Sequence, residues 1–229
     1  MYRTFFIGDV HGCYDELKAL CDKIRLHAED HLYFVGDLIN KWPKSLEVVE
    51  FIRNRPNTWS VIGNHEYYYM KNDDDALLAT ERTPEDLRKE AKLDENVNSK
   101  YRTLRNELSP YREWMLGLPT FIEKEEFILV HWGIHPDYGV STPTEIATLI
   151  RTVHGKPWYE SYRGSKKVFY GHWAKNGMII YGNTIGLDTG CCFGGHLTAY
   201  CLESWDITQI RANAVYEQPA HWSSIVKLL

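Results

Sequence analysis

Phe5-Phe6-Ile7-Gly8-Asp9-Val10-His11-Gly12 sets the pattern of the whole chain: an apolar run, a glycine, then a carboxylate and an imidazole. The run reads as a buried strand and the polar pair as the turn leaving it. The pattern returns four times. Leu32-Tyr33-Phe34-Val35 precedes Gly36-Asp37-Leu38-Ile39-Asn40, and Trp59-Ser60-Val61-Ile62 precedes Gly63-Asn64-His65-Glu66. Phe127-Ile128-Leu129-Val130 precedes His131-Trp132-Gly133, and Val168-Phe169-Tyr170 precedes Gly171-His172-Trp173. Between the first three runs the spacing turns helical. Leu17, Leu20, Cys21 and Ile24 share one face, with Asp15 and Glu16 near the helix start. Pro43 and Ser45 open a second helix, with Leu46, Val49 and Ile52 on one side. This βαβαβ rhythm predicts a parallel sheet with ligand-type residues at the carboxyl ends of its strands.

The second half is rich in strands: Phe121–Ile122, Phe127–Val130, Val168–Tyr170, Met178–Tyr181, His196–Leu202 and Ile207–Ala212, with Gly182-Asn183 as a hairpin turn. It is expected to complete a second sheet packed on the first. Tyr101–Leu116 reads as a helix ended by Gly117 and Pro119. From Lys71 to Lys100 the chain is polar, and its Asp73-Asp74-Asp75 run fits a solvated surface segment of loops and short helices. No linker or repeat divides the chain, so residues 1–229 are expected to form one domain.

The formal charge of −5 excludes a broad surface for long nucleic acid but not a small phosphate ester neutralised locally. No apolar run approaches the roughly 20 residues of a membrane helix. With no signal segment before the first motif and five cysteines, a reducing cytoplasm is the expected compartment. Cys191 and Cys192, being adjacent, are poorly placed to pair with each other.

A lone Asp or His in a turn is usually a cap or a local hydrogen-bonding group. Five strand ends in one chain each carrying such a residue point instead to convergence on one site. Two divalent ions about 3.5–4 Å apart need a shared carboxylate to offset their repulsion. Asp37 is the expected bridge. Asp9 and His11 complete one metal; Asn64, His131 and His172 complete the other. His135 and His154 are weaker candidates for the mouth of the site.

In this order, Gly-Asp-x-His-Gly, Gly-Asp-x-x, Gly-Asn-His-Glu, His-x-Gly and Gly-His resemble the phosphoprotein-phosphatase branch of the calcineurin-like metallophosphoesterases. The resemblance runs from Phe5 to about Tyr200 and is weak at 71–100 and 141–166. Gly8–Leu17, Gly171-His172-Trp173 and Leu187–Gly195 look most like the bacterial symmetrical diadenosine tetraphosphatases. The resemblance implies an α/β fold, a four-layer α/β/β/α sandwich with two central mixed sheets. It also implies a dimetal hydrolase site for manganese, cobalt, nickel, iron or zinc, with manganese the first choice. The resemblance further implies His65 as the general acid and Lys41 and Arg151 as the phosphate contacts. Relatives often carry Asp and Arg where this chain has Asn40 and Lys41. In those with Asp, the carboxylate holds the acid histidine protonated; Asn40 is expected to orient His65 through its carbonyl oxygen without supplying charge. The segment between His131 and His172 is shorter than in the tetraphosphatases. The leading expectation is hydrolysis of dinucleoside polyphosphates such as diadenosine tetraphosphate. The rival is a serine/threonine or tyrosine protein phosphatase. A third reading is a phosphate-binding protein with weakened catalysis, suggested by Asn40, Lys41 and Trp42.

Overall fold

A computed structural model describes residues 2–41, 44–71, 104, 106–141, 151–153, 155–174 and 177–218, the side chains of 68–71 excepted. The polar stretch expected as surface loops therefore falls almost wholly outside the described residues, as do Trp42 and His154.

Strand β1 (Thr4–Ile7) leads to helix α1 (Tyr14–Lys23), β2 (His31–Phe34), helix α2 (Ser45–Asn54), β3 (Thr58–Ser60) and helix α3 (Asn64–Lys71). β1, β2 and β3 pair in parallel, with Phe6 opposite Tyr33 and Tyr33 opposite Trp59. Alternation then divides the side chains. Phe5, Ile7, Leu32 and Phe34 face Leu17 and Leu20 of α1 and Val48, Val49 and Ile52 of α2. Phe6, Tyr33 and Val35 face the other way, into the space between the sheets.

The second sheet runs in the order β4 (Phe121–Glu123), β5 (Phe127–Val130), β8 (Lys167–Tyr170), β10 (Thr184–Gly186), β9 (Ile179–Tyr181). Gly182 and Asn183 turn the β9–β10 hairpin, as their sequence predicts, with Gly182 at φ +55°. Phe127, Leu129, Phe169 and Ile185 fill the space between the sheets, and the Phe6 and Phe169 rings stack with centroids 3.5 Å apart. The outer face, Ile128, Val130, Val168 and Tyr170, packs on Trp158 of a 3-10 turn that follows the β6 (Thr152–Val153) and β7 (Lys156–Pro157) ribbon. The architecture is α/β: two mixed sheets face to face, with outer layers on both sides.

Two expectations change. The strands read at 196–202 and 207–212 do not join the second sheet. β11 (His196–Cys201) pairs antiparallel with β1, and β12 (Ile207–Arg211) extends that edge. β11 is buried on both faces, Leu197 and Ala199 toward the helices and Tyr200 toward the other sheet, so it needs the interior place beside β1. The helix read over Tyr101–Leu116 is interrupted in its described part. Ser109–Tyr111 is a 3-10 turn, and helix α4 (Arg112–Leu116) follows; Pro110 lacks the N–H that a continuous helix requires.

Candidate metal centre

β1, β2, β5 and β8 all end at the same edge of the paired sheets, and the loops leaving them carry Asp9, Asp37, His131 and His172. α3 begins with Asn64 and His65 just beyond β3. Asp37 lies at the focus. Its Oδ2 is 3.5 Å from His11 Nε2, 3.4 Å from His131 Nε2 and 3.9 Å from His65 Nε2. Its Oδ1 accepts the His65 backbone N–H at 2.9 Å. Ligand atoms of Asp9, Asp37 and His131 fall within 4.8 Å of one another, and so do those of His11, Asp37 and His65. On the far side, Asn64 Oδ1 lies 3.0 Å from His131 Nε2 and 2.8 Å from His172 Nδ1. Asp9 Oδ2 accepts the His172 N–H at 3.2 Å, whereas Asp9 Oδ1 is buried without a hydrogen-bond partner. An orphaned buried carboxylate oxygen among imidazole nitrogens is what a divalent cation would satisfy, and this donor set of oxygens and imidazoles fits one.

The backbone is bent to bring these groups together. Among the described residues, five of the eight non-glycine positions with positive φ lie here: His11, Asp37, Asn40, Lys41 and His172. Such conformations cost of order 1–3 kcal/mol each and persist where the surroundings over-determine them. Two glycines are required by close approach. A Cβ on Gly63 would lie 2.2 Å from Asp37 Oδ1, and one on Gly171 would lie 2.2 Å from Asp9 Oδ1.

Glu66, named in the sequence only as part of its motif, organises the Asp37 loop. Fully buried, it accepts four backbone N–H bonds: Oε2 from Asp37 (3.0 Å) and Gly63 (2.9 Å), Oε1 from Leu38 (2.8 Å) and Ile39 (3.1 Å). Burial, then the charge of Asp37, pushes its carboxyl up to about 7 against those bonds. Asp188 is the second residue without a role in the sequence reading. It follows the end of β10, is buried beside Asp9, and accepts the Gly190 N–H at 3.1 Å. The signal was present in both cases: Glu66 closes the Gly-Asn-His-Glu run, and Asp188 follows Ile185-Gly186-Leu187 as Asp9 follows Phe5-Phe6-Ile7-Gly8.

The charges interlock. Burial would raise Asp37, but His131 and then His65 hold it well below the ordinary carboxylate range. Burial lowers His131, yet Asp37 raises it to about 10. Burial and Asp188 raise Asp9. Burial, then Lys41, holds His11 well below its ordinary value. Burial pushes His65 down to about 3 despite the pull of Asp37.

Asn40 orients His65, but not through its carbonyl oxygen. Asn40 Oδ1 accepts the Lys41 backbone N–H at 2.7 Å, which leaves Nδ2 to face His65 Nδ1 at 3.1 Å. A flipped amide would set two donors against each other at Lys41. His65 Nδ1 therefore accepts, and the ring proton sits on Nε2. Lys41 Nζ is 3.2 Å from His11 Nε2 and 4.7 Å over the Phe193 ring. Arg151 is half-buried, with Cζ 5.8 Å from the Trp173 ring centroid, and its charge acts on His172. His135 pairs instead with its own loop, 3.8 Å from Asp137 Oδ2.

The family model described as calcineurin-like phosphoesterase matches residues 2–201. A symmetrical bis(5'-nucleosyl)-tetraphosphatase from Dechloromonas aromatica is 26% identical over 275 residues, covering 90% of this chain and 95% of the relative. Its counterpart from Neisseria gonorrhoeae is 25% identical, covering 97% and 99%. Both alignments exceed the 229 residues of this chain, so these relatives carry insertions that it lacks. A crystal structure described as a candidate diadenosine tetraphosphatase superposes with a TM-score of 0.75 at 25% identity, covering 93% of this chain and 95% of that one.

Proposed function

The chain belongs to the calcineurin-like phosphoesterase family, and from that premise we propose that this metal-dependent hydrolase cleaves dinucleoside polyphosphates such as diadenosine tetraphosphate. The observation that carries the metal chemistry is Asp37 Oδ2, which lies 3.5 Å from His11 Nε2 and 3.4 Å from His131 Nε2. Asp37 would bridge two divalent ions, manganese the first candidate, with Asp9 and His11 holding one and Asn64, His131 and His172 the other. Bound there, the ions would neutralise phosphate charge and lower the pKa of a water toward neutrality.

The remaining steps belong to the chain. Lys41 and Arg151 steady the phosphate oxygens; the lysine gives a point charge and the arginine a planar fork. His65 presents its Nε2 proton to the leaving oxygen. Because Nδ1 accepts from neutral Asn40, His65 acts as a hydrogen-bond donor more readily than as a full acid. A phosphoanhydride asks for no more, since its leaving phosphate is stable as an anion. An alkyl monoester needs the proton itself. That difference, together with what the relatives are named for, favours the anhydride over a phosphoprotein.

The test is product chromatography after brief incubation of manganese-loaded protein with diadenosine tetraphosphate. ADP alone is expected. ATP with AMP would mean an asymmetrical cut. No cleavage beside rapid phosphopeptide hydrolysis would replace this reading by the protein phosphatase, which the short segment between His131 and His172 would suit by leaving the site open. Full metal loading without turnover of any phosphate ester or anhydride would favour the phosphate-binding protein.

A further inference from the structure

His11 Nδ1 lies 3.1 Å from the Ile39 carbonyl oxygen, which has no proton to give, so Nδ1 is the protonated nitrogen and Nε2 carries the ring's lone pair. That lone pair is engaged: Lys41 Nζ stands 3.2 Å away. His11 is buried at 3% exposure, which leaves little room for water to take the lysine's place. The position of Lys41 is built. Asn40 and Lys41 are consecutive left-handed residues, at φ +71° and +66°. Asn40 Oδ1 fixes this turn through the Lys41 N–H, and the Phe193 ring lies under the ammonium. The strain is spent on aiming a positive charge inward at an imidazole. A ring nitrogen and a π face hold an ammonium less firmly than a carboxylate does, so the group can be displaced.

We propose that Lys41 competes with divalent metal for the Nε2 lone pair of His11, so that one of the two metal positions fills last and its filling frees Lys41 to reach substrate phosphate. This rests on the dimetal reading above. One lone pair cannot serve both partners, and an ammonium beside a dication is repelled. The flexible four-carbon stem of lysine allows the move outward; the rigid fork of an arginine fits a single lone pair poorly. Metal loading and phosphate binding are thereby coupled through one side chain.

Manganese titration of the chelator-treated full chain by calorimetry decides the matter. The natural protein is expected to show two unequal sites. Lys41→Met should tighten the weaker site by roughly 10- to 100-fold, as removal of a charged hydrogen bond allows, and leave the stronger one unchanged. Inorganic phosphate should bind the loaded variant more weakly. Lys41→Gln, which keeps a polar end, should shift both quantities in the same direction and guards against a packing fault. If neither variant changes either metal affinity while His11→Ala still deletes one site, the competition is overturned and the dimetal reading stands. If His11→Ala leaves two sites, the ligand assignment itself fails.

Discussion

The first sheet carries buried carboxylates at both ends of its parallel strands, and the two ends treat them in opposite ways. Asp30 lies just before β2, at the amino end. Both its oxygens are satisfied: Oδ1 by the Arg3 backbone N–H and Nε, Oδ2 by Arg3 Nη2 and the His27 N–H. Burial opposes its charge, but the Arg3 and backbone bonds overcome burial and bring its carboxyl down to about 2. At the carboxyl end, Asp9 keeps an oxygen without a partner, Asp37 is held by imidazoles, and the backbone turns left-handed at residue after residue. One end spends its polar groups on holding the chain together. At the other, Glu66 holds the Asp37 loop in the same way, but Asp9 Oδ1 is left for a ligand to complete.

Mutations can break this contrast, and Asp37→Asn should do so most severely. Losing a bridging carboxylate removes several kcal/mol of charge stabilisation, so turnover should fall by roughly 10³-fold with both metals weakened. In chelator its melting temperature should fall as well, because His131 loses the buried partner that holds its charge. Metal analysis beside calorimetric melting checks both halves.

Glu66→Gln comes next. A glutamine has one accepting oxygen for four backbone N–H donors, and its own NH2 would face two of them. Metal affinity should drop by roughly 10- to 100-fold, the usual cost of losing a group that orients a ligand, and titration with manganese measures it.

Asp30→Asn sharpens the comparison from the other end. It should cost about 2 kcal/mol of stability, discounted because Arg3 is partly exposed, or roughly 4–8 °C in melting temperature, with turnover unchanged at room temperature. Its pH signature has a definite sign. The folded carboxyl sits near 2, below its unfolded value of about 3.9. The stability it contributes is therefore present above about pH 4 and is lost as pH falls through about 2. Acid melting curves of the two proteins should converge over that interval.

Asn40→Asp is the mildest change. A carboxylate beside His65 Nδ1 favours the imidazolium, raising a group that burial now holds near 3. The alkaline limb of the rate profile should move upward on an alkyl phosphate and hardly at all on a dinucleoside polyphosphate. Identical profiles on both substrates would show that Asn40 does not act through His65.

The functional end was largely legible in the sequence because its logic is local. An apolar run, a glycine and a ligand-type residue repeat along the chain, and α1 and α2 show their periodicity plainly. What escaped is what depends on tertiary partners. Nothing within His196–Arg211 says which sheet it joins, since burial on both faces would suit either. The amide of Asn40 is oriented by the left-handed turn at Lys41, a backbone choice its residue types do not announce. Glu66 and Asp188 stood in plain view, but their work is toward backbone and charge brought near only by folding. The Asp30 end was invisible for the same reason: Arg3 and Asp30 are far apart in sequence and carry no shared motif.

The central claim is that Asp37 joins two metals where the strand ends converge. Electron paramagnetic resonance of the chain loaded with two equivalents of manganese tests it most directly. The account predicts an exchange-coupled dimanganese spectrum that Asp37→Asn abolishes. Two independent, uncoupled six-line manganese signals in the natural protein, unchanged by that substitution, would contradict it.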